Sequence, residues 1–218
     1  MEFEEFKYKG ENTEELVKIY EELEFHSFLK KVKKEDVKVE KYKILENIDE
    51  LILEDEVALY LEVSDINYHR GDIIGFSISD KNNSYFIKPE LINDVLEIVR
   101  NKKILTYDLK KVLVKLGDIK SNYDLMLASY LLNYNVKDDI SVLMSSMGVE
   151  SIFYDNFKKN DFKDKELICV TKSRFIFETY NKIVKELEEK EQLYLYNEIE
   201  LPLVYVLAEM EKNGFKVE

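Results

Sequence analysis

The sequence is short of the residues that break or cross-link a chain. It holds 2 Pro and 6 Gly in 218 residues. Proline fixes φ and removes a donor, and glycine supplies the positive φ of tight turns. Their scarcity predicts long regular elements and few elaborate loops. A single cysteine, Cys169, excludes an internal disulfide and points to a reducing compartment. The two histidines, His26 and His69, stand far apart with no cysteine partner, so no zinc-ligand spacing is present. No apolar run reaches the length of a membrane span. The charged start MEFEEFKYKG lacks the apolar centre of a signal peptide. A cytoplasmic protein with no membrane partner is the expectation.

What is present is an acidic chain with ample core material. Hydrophobic residues make up 45% and aromatic residues 12%, which supports a packed interior and argues against disorder. Against 32 Lys and Arg stand 45 Asp and Glu, a formal net charge of −13. Phosphate contacts need Lys and Arg. The acidity therefore speaks against strong DNA binding by this chain alone, but not against a domain whose neighbour grips the DNA.

The elements change character along the chain. Residues 1–50 read as helical and charged, with Asn12 and Glu15 as a capping pair, Leu16, Ile19, Tyr20 and Leu23 at helical spacing, and a second short helix over 24–31. Residues 56–63 are a mostly apolar central strand; 72–79 and 84–88 are two more, joined by a turn at 80–83. Short connections predict an antiparallel meander. Pro89 opens a helix to about Asn101, and 104–107 is a short strand. Asp108, Asp124 and the pair Asp138-Asp139 each precede an apolar helical run, the N-cap position. A long helix is expected over about 172–196, and Pro202 and Gly214 bracket a last one. The sum is a mixed α/β sheet flanked by helices.

Four stretches carry more than local structure. The tail Glu200-Leu201-Pro202-Leu203-Val204-Tyr205-Val206-Leu207-Ala208-Glu209-Met210-Glu211-Lys212-Asn213-Gly214-Phe215-Lys216-Val217 closely resembles the segment that opens the polymerase domain of bacterial DNA polymerase I. Residues 21–29, EELEFHSFL, resemble the helical segment before that family's 3′–5′ exonuclease domain. Ala58 to Val63, with Asn67-Tyr68-His69 and Ile74-Gly75-Phe76, resembles the first exonuclease strand pair. Tyr123 to Asn133 resembles the helix after the second exonuclease motif. The resemblance implies a ribonuclease-H-like exonuclease fold with a mixed five-stranded sheet flanked by helices. It divides the chain into a helical connector at 1–50, an exonuclease-like domain at 51–197 and the first polymerase helix at 198–218. It also implies a parent DNA polymerase of replication and repair, with the polymerase domain and, in the full-length protein, DNA as partners.

Active family members hydrolyse the last phosphodiester at a 3′ end with two divalent ions about 3.5–4 Å apart. Hard ions such as Mg²⁺ take carboxylate oxygens. The family supplies them from Asp-x-Glu, Asn-x-x-x-Asp and Tyr-x-x-x-Asp motifs. Here the first motif aligns with Tyr60-Leu61-Glu62: the Glu remains and the Asp is Tyr60. The second aligns with Asp108 to Val112, so Val112 replaces the metal-binding Asp; a rival register makes Asp108 itself the ligand, one helical turn or about 5.4 Å away. The third falls near Ile168 to Lys172, with Ile168 for the Tyr and Lys172 for the Asp. One carboxylate cannot neutralise two Mg²⁺, and a lysine beside them repels. The expectation is a degenerate exonuclease-like domain with no catalytic residues, no cofactor and no bound metal, Glu62 being the only retained ligand type.

Plainer roles stand beside these. Glu62 reads as a surface or edge carboxylate, Lys172 as a solvated lysine near a helix start, and Asp108 and Asp124 as helix caps. Tyr60, Tyr107, Tyr123 and Tyr130 read as packing residues, Cys169 as a small buried hydrophobe, and the Lys-Glu runs at 30–43 and 185–191 as solvated helix faces. Two further functions stay open: an active proofreading exonuclease with displaced ligands drawn from Glu62, Asp65, Asp108 and Asp124, and a protein-interaction module unrelated to DNA.

Overall fold

A computed structural model describes Ile19 and residues 41–65, 67–117, 119–149 and 165–214. The expected capping pair at Asn12, the short helix at 24–31 and the 30–40 part of the first Lys-Glu run lie outside these residues.

Strand β2 (Glu56–Val63) shows why the sheet is central. From Val57 to Val63 every residue is buried, so both faces of the strand are covered. Alternate side chains divide between two cores. Ala58 and Tyr60 enter one cluster; Val57, Leu59, Leu61 and Val63 enter the other. β2 pairs antiparallel with β3 (Ile73–Ser79), and β3 antiparallel with β4 (Ser84–Ile87), the expected meander. The turn between β3 and β4 is tied by Asp80, whose Oδ1 accepts from the N–H groups of Asn82 and Asn83, both at 2.7 Å.

The full order is β1-β4-β3-β2-β5-β6, six strands where five were expected. β5 (Lys103–Thr106) runs parallel to β2, and β6 (Tyr123–Asp124) parallel to β5. β1 (Lys43–Leu45) runs parallel to β4, so this part of the segment read as helical is strand. β1 and β6 hold three and two residues, too few to display a period of their own; the neighbouring strand defines them.

Helices cover both faces. On the second face lie α1 (Ile92–Val99) and α2 (Leu109–Leu116), which bury Val95, Val99, Leu109 and Val112 against Leu59, Leu61, Phe76 and Ile78. Each such side chain removed from water contributes about 1.5–3 kcal/mol. On the first face lie α3 (Leu125–Leu131), α4 (Ile140–Ser146) and the long α5 (Lys165–Glu189). Asp108, Asp124 and Asp139 cap α2, α3 and α4 as expected, accepting from the N–H groups of Lys111, Met126 and Ser141.

α5 begins seven residues before the expected start and ends seven before the expected end. Glu191 adopts φ +57, Gln192 N–H donates to the Leu187 carbonyl at 2.8 Å, and Glu191 N–H to that of Glu188 at 3.0 Å. That pattern is a Schellman cap, built here on a glutamate instead of the usual glycine. The chain continues through α6 (Leu193–Leu195) and a π-helical turn (Tyr196–Glu200) into α7 (Leu201–Asn213). α7 buries Val204 and Ala208 in the second cluster. Tyr205 fixes it: its hydroxyl accepts from Ser121 N–H at 2.9 Å and donates to the Ser121 carbonyl at 3.0 Å. No helix among the described residues is long and apolar enough to cross a membrane.

Candidate functional site

The site forms where α5 lies close on β2 and β3. Small residues on β3 permit the approach. A Cβ at Gly75 would meet Cys169 Sγ at 2.8 Å and the Phe86 ring at 3.2 Å. Ser77 Oγ donates to the Cys169 carbonyl at 2.7 Å, and Ser79 Oγ lies 2.8 Å from Ser173 Oγ. These contacts set which turn of the helix faces β2. One residue before Ser173, that turn presents Lys172.

Lys172 is completely buried. Its Nζ is bonded to Glu62 Oε2, lies 3.3 Å from Tyr60 Oη and 3.7 Å from Asp139 Oδ1. Burial alone would push the ammonium pKa down, but Glu62 and Asp139 outweigh it and leave it above the ordinary lysine value. Lys172 is therefore a charged group in the interior. Tyr60 titrates in the opposite sense: burial, then the nearby Glu62 and Asp139, raise its phenol well above the usual range, so it stays protonated.

Both plain expectations for the ion pair are corrected. Glu62 is not a surface or edge carboxylate: it is 6% exposed, on a strand with neighbours on both sides. Lys172 is neither solvated nor near a helix start, for it is the eighth residue of α5. Each charge is tolerated because the other is present; a buried ion with no partner costs several kcal/mol.

The remaining expected residues go elsewhere. Val112 packs among Leu109 and Leu113 in the second cluster, on the sheet face opposite Tyr60. Asp108 turns back on its own helix. Its Oδ1 accepts from Lys111 N–H, its Oδ2 lies 3.8 Å from Lys111 Nζ, and it holds φ +57. Burial raises its pKa, with Lys111 pulling the other way. Asp124 Oδ1 accepts from the N–H groups of Asp108 and Met126, and its Oδ2 from that of Leu109. Burial, then Asp108, lift its carboxyl to about 6. Asp65, near the exposed tip after β2, accepts from Asn67 N–H at 3.0 Å. Ile168 is buried in α5 one turn before Lys172.

Two residues were missed. Asp139, legible only as a cap, reaches Lys172 across 33 residues of sequence. Lys111, 5% exposed, places its Nζ 5.5 Å from the centroid of the Tyr60 ring, a second cation beside the pocket. No sequence signal marks Asp139, because only the tertiary fold brings it there. Lys111 was visible as the residue three after Asp108. Of the packing residues, Tyr60, Tyr107 and Tyr123 are buried, Cys169 is buried and free, and Tyr130 is 66% exposed. In the 185–191 run Leu187 is buried within the otherwise solvated face.

With this geometry in place, comparison with known proteins is informative. Residues 59–157 match the family described as DNA polymerase I, ribonuclease H-like domain. DNA polymerase I of Bacillus caldotenax is 30% identical over 236 residues, covering 97% of this chain and 27% of that protein. DNA polymerase I of Bacillus subtilis (strain 168) is 28% identical over 240 residues, covering the same shares. This chain belongs to the DNA polymerase I family. It is that family's 3′–5′ exonuclease-like domain, and it spans about a quarter of the length of the curated relatives it matches. Among solved structures, Brucella melitensis NrnC with bound Mg²⁺ superposes with a TM-score of 0.59 at 16% identity, covering 79% of this chain and 92% of that one. The Pol1 POL domain from M. smegmatis, in complex with DNA primer-template and dNTP, gives 0.59 at 16%, covering 81% and 33%. At such identities these two show the fold alone, and it is the ribonuclease-H-like fold expected.

A divalent ion does not fit the donor set at Glu62. Among the described residues no group of three or more His, Cys, Asp or Glu side chains could hold a metal ion. The point where Glu62, Asp139 and Tyr60 converge is taken by an ammonium. A divalent ion 4 Å from that charge is repelled by about 8 kcal/mol at an effective dielectric of 20. The phenol of Tyr60 contributes only a neutral oxygen.

Proposed function

We propose that this domain has lost nuclease chemistry and acts as a structural support for the polymerase domain of a DNA polymerase I in replication and repair, in the cytoplasm. The observation that carries this reading is the Lys172–Glu62 ion pair: the carboxylate type retained from the family motif is already neutralised inside the protein. We assign Tyr60, Val112 and Lys172 to three of the four family ligand positions and Glu62 to the fourth, with Asp108 as a cap. Brucella melitensis NrnC, of the same fold, is seen with bound Mg²⁺; no residue set among the described residues suits that ion, and no cofactor is assigned. DNA enters as a partner only through the full-length protein, since this chain carries −13.

The supporting role rests on α7, which belongs to the segment we assign to the polymerase domain (198–218). Its inner face is anchored on the exonuclease-like domain by Val204, Tyr205 and Ala208. Glu211 adds an ion pair to Lys110 at 2.8 Å and contacts to Tyr68 and His69. Its outer face leaves Leu203, Val206, Leu207 and Met210 exposed, one stripe at helical spacing. In the supporting role this stripe is the face on which the rest of a full-length polymerase packs; the chain spans about a quarter of the length of the relatives it matches.

The test is digestion of a 3′-overhang oligonucleotide by the purified chain with Mg²⁺ or Mn²⁺. No nucleotide release is expected at any metal concentration. Metal-dependent release that disappears in Glu62→Ala would establish the alternative, a proofreading exonuclease with displaced ligands.

A further inference from the structure

The absence of a metal-ligand set at Glu62 does not leave an emptied site. A pocket that has merely lost ligands would hold an unpaired buried carboxylate or open to water. This one is closed and internally compensated. Glu62 from β2, Asp139 from the α4 cap and Tyr60 from β2 converge on one nitrogen, and that nitrogen is fully enclosed. Lys111 stands beside the Tyr60 ring, with its Nζ 3.8 Å from Asp108 Oδ2.

We propose that the Lys172 ammonium is a built-in cation: it occupies the point where Glu62, Asp139 and Tyr60 converge and holds β2, α4 and α5 together as a bound divalent ion would. This deepens the proposed loss of nuclease chemistry and rests on it in one respect only, the assignment of Glu62 as a metal-ligand relic. The physical consequence is definite. A tethered cation cannot dissociate, so the folded state neither needs nor responds to divalent metal. Removing the ammonium while keeping both carboxylates would leave the buried Glu62 and the partly exposed Asp139 facing the vacated point, which a free cation can then enter.

The experiment is thermal unfolding of the chain in EDTA and in millimolar Mn²⁺, for the natural sequence, Lys172→Met, and the double variant Glu62→Gln with Lys172→Met. The natural chain is expected to melt at the same temperature in both solutions. Lys172→Met is expected to melt about 10 °C lower in EDTA, because one partner of a buried pair is lost, and to recover roughly 5 °C in Mn²⁺. The double variant, with the Lys172–Glu62 pair replaced by uncharged groups, is expected to melt closer to the natural chain and to gain less from Mn²⁺. If Lys172→Met does not fold in EDTA, folding restored by Mn²⁺ counts as the same result.

Three outcomes would overturn the proposal: a natural chain that Mn²⁺ stabilises, a Lys172→Met chain that melts with the natural one in EDTA, or a destabilised Lys172→Met chain indifferent to Mn²⁺. None of these requires nuclease activity. A chain that digests DNA refutes the proposed function; a silent chain whose Lys172→Met variant ignores Mn²⁺ refutes only the built-in cation.

Discussion

The two faces of the sheet bury the same strands in different company. On one, Leu59, Leu61, Phe76 and Ile78 meet α1, α2 and α7 through apolar side chains. On the other, Tyr60, Glu62, Gly75, Ser77 and Ser79 meet α5 and the α4 cap through an ion pair, hydroxyl contacts and close backbone approach. The apolar face tolerates adjustment, because dispersion and hydrophobic burial have no direction. The polar face does not, because every buried donor and acceptor needs its partner at a fixed place. The candidate site lies on the face with the stricter geometry, where the Lys172–Glu62 ion pair is buried.

Substitutions can break or sharpen this contrast. On the apolar face, Phe76→Ala removes a fully buried ring, with an expected loss of about 4 kcal/mol in urea unfolding. On the polar face, Glu62→Gln leaves the Lys172 ammonium with Asp139 at 3.7 Å as its carboxylate partner; the expected loss is about 3 kcal/mol by the same measurement. A loss typical of surface positions, below about 0.5 kcal/mol, would show that this face is not an ionic core.

Acid titration adds a signature from Asp124, the buried cap of α3 that also holds the start of α2. The Asp124 carboxyl sits at about 6, above the ordinary carboxylate value. Between pH 4 and pH 6 the folded chain therefore binds more protons than the unfolded chain, and this group's contribution to stability falls as pH rises through that window. The expected decline is about 2 kcal/mol, read from unfolding curves at successive pH values, with the Asp124 side-chain carbon resonance titrating near 6.

Two smaller effects follow. Gly75→Ala brings a Cβ to 2.8 Å from Cys169 Sγ, so the Cys169 side chain or α5 itself must shift; about 2 kcal/mol is expected, with changed chemical shifts at Ser77 and Ser173. Tyr205→Phe removes the hydroxyl that bridges both backbone groups of Ser121, for about 1 kcal/mol. Its shift changes should stay on α7 and the segment leading into β6.

The contrast also explains what could be read in the linear chain. The apolar run Glu56–Val63 announced a central strand, since burial on both faces leaves no polar alternation. The caps Asp108, Asp124 and Asp139 were legible because a side-chain oxygen before an apolar helical run is a local signal. β1 and β6 were not, because strands of three and two residues exist only through their neighbours. Nor was the end of α5: a left-handed Glu191 inside a Lys-Glu run looks like continuing helix. Within the site, Tyr60 and Glu62 share a face by the period of a strand, so their proximity followed from sequence. The burial of Glu62 and Lys172 did not. A charge is buried only with its partner, and here the partner stands 110 residues away. Asp139 joins them for the same reason, from a third element that sequence spacing does not connect to either.

The most direct measurement of the central claim is the free Mn²⁺ signal in electron paramagnetic resonance as the natural chain is added. With the Lys172 ammonium holding the place of a cation, the signal should stay undiminished up to millimolar metal. Loss of signal corresponding to one or two ions bound per chain, absent in Glu62→Ala, would contradict it.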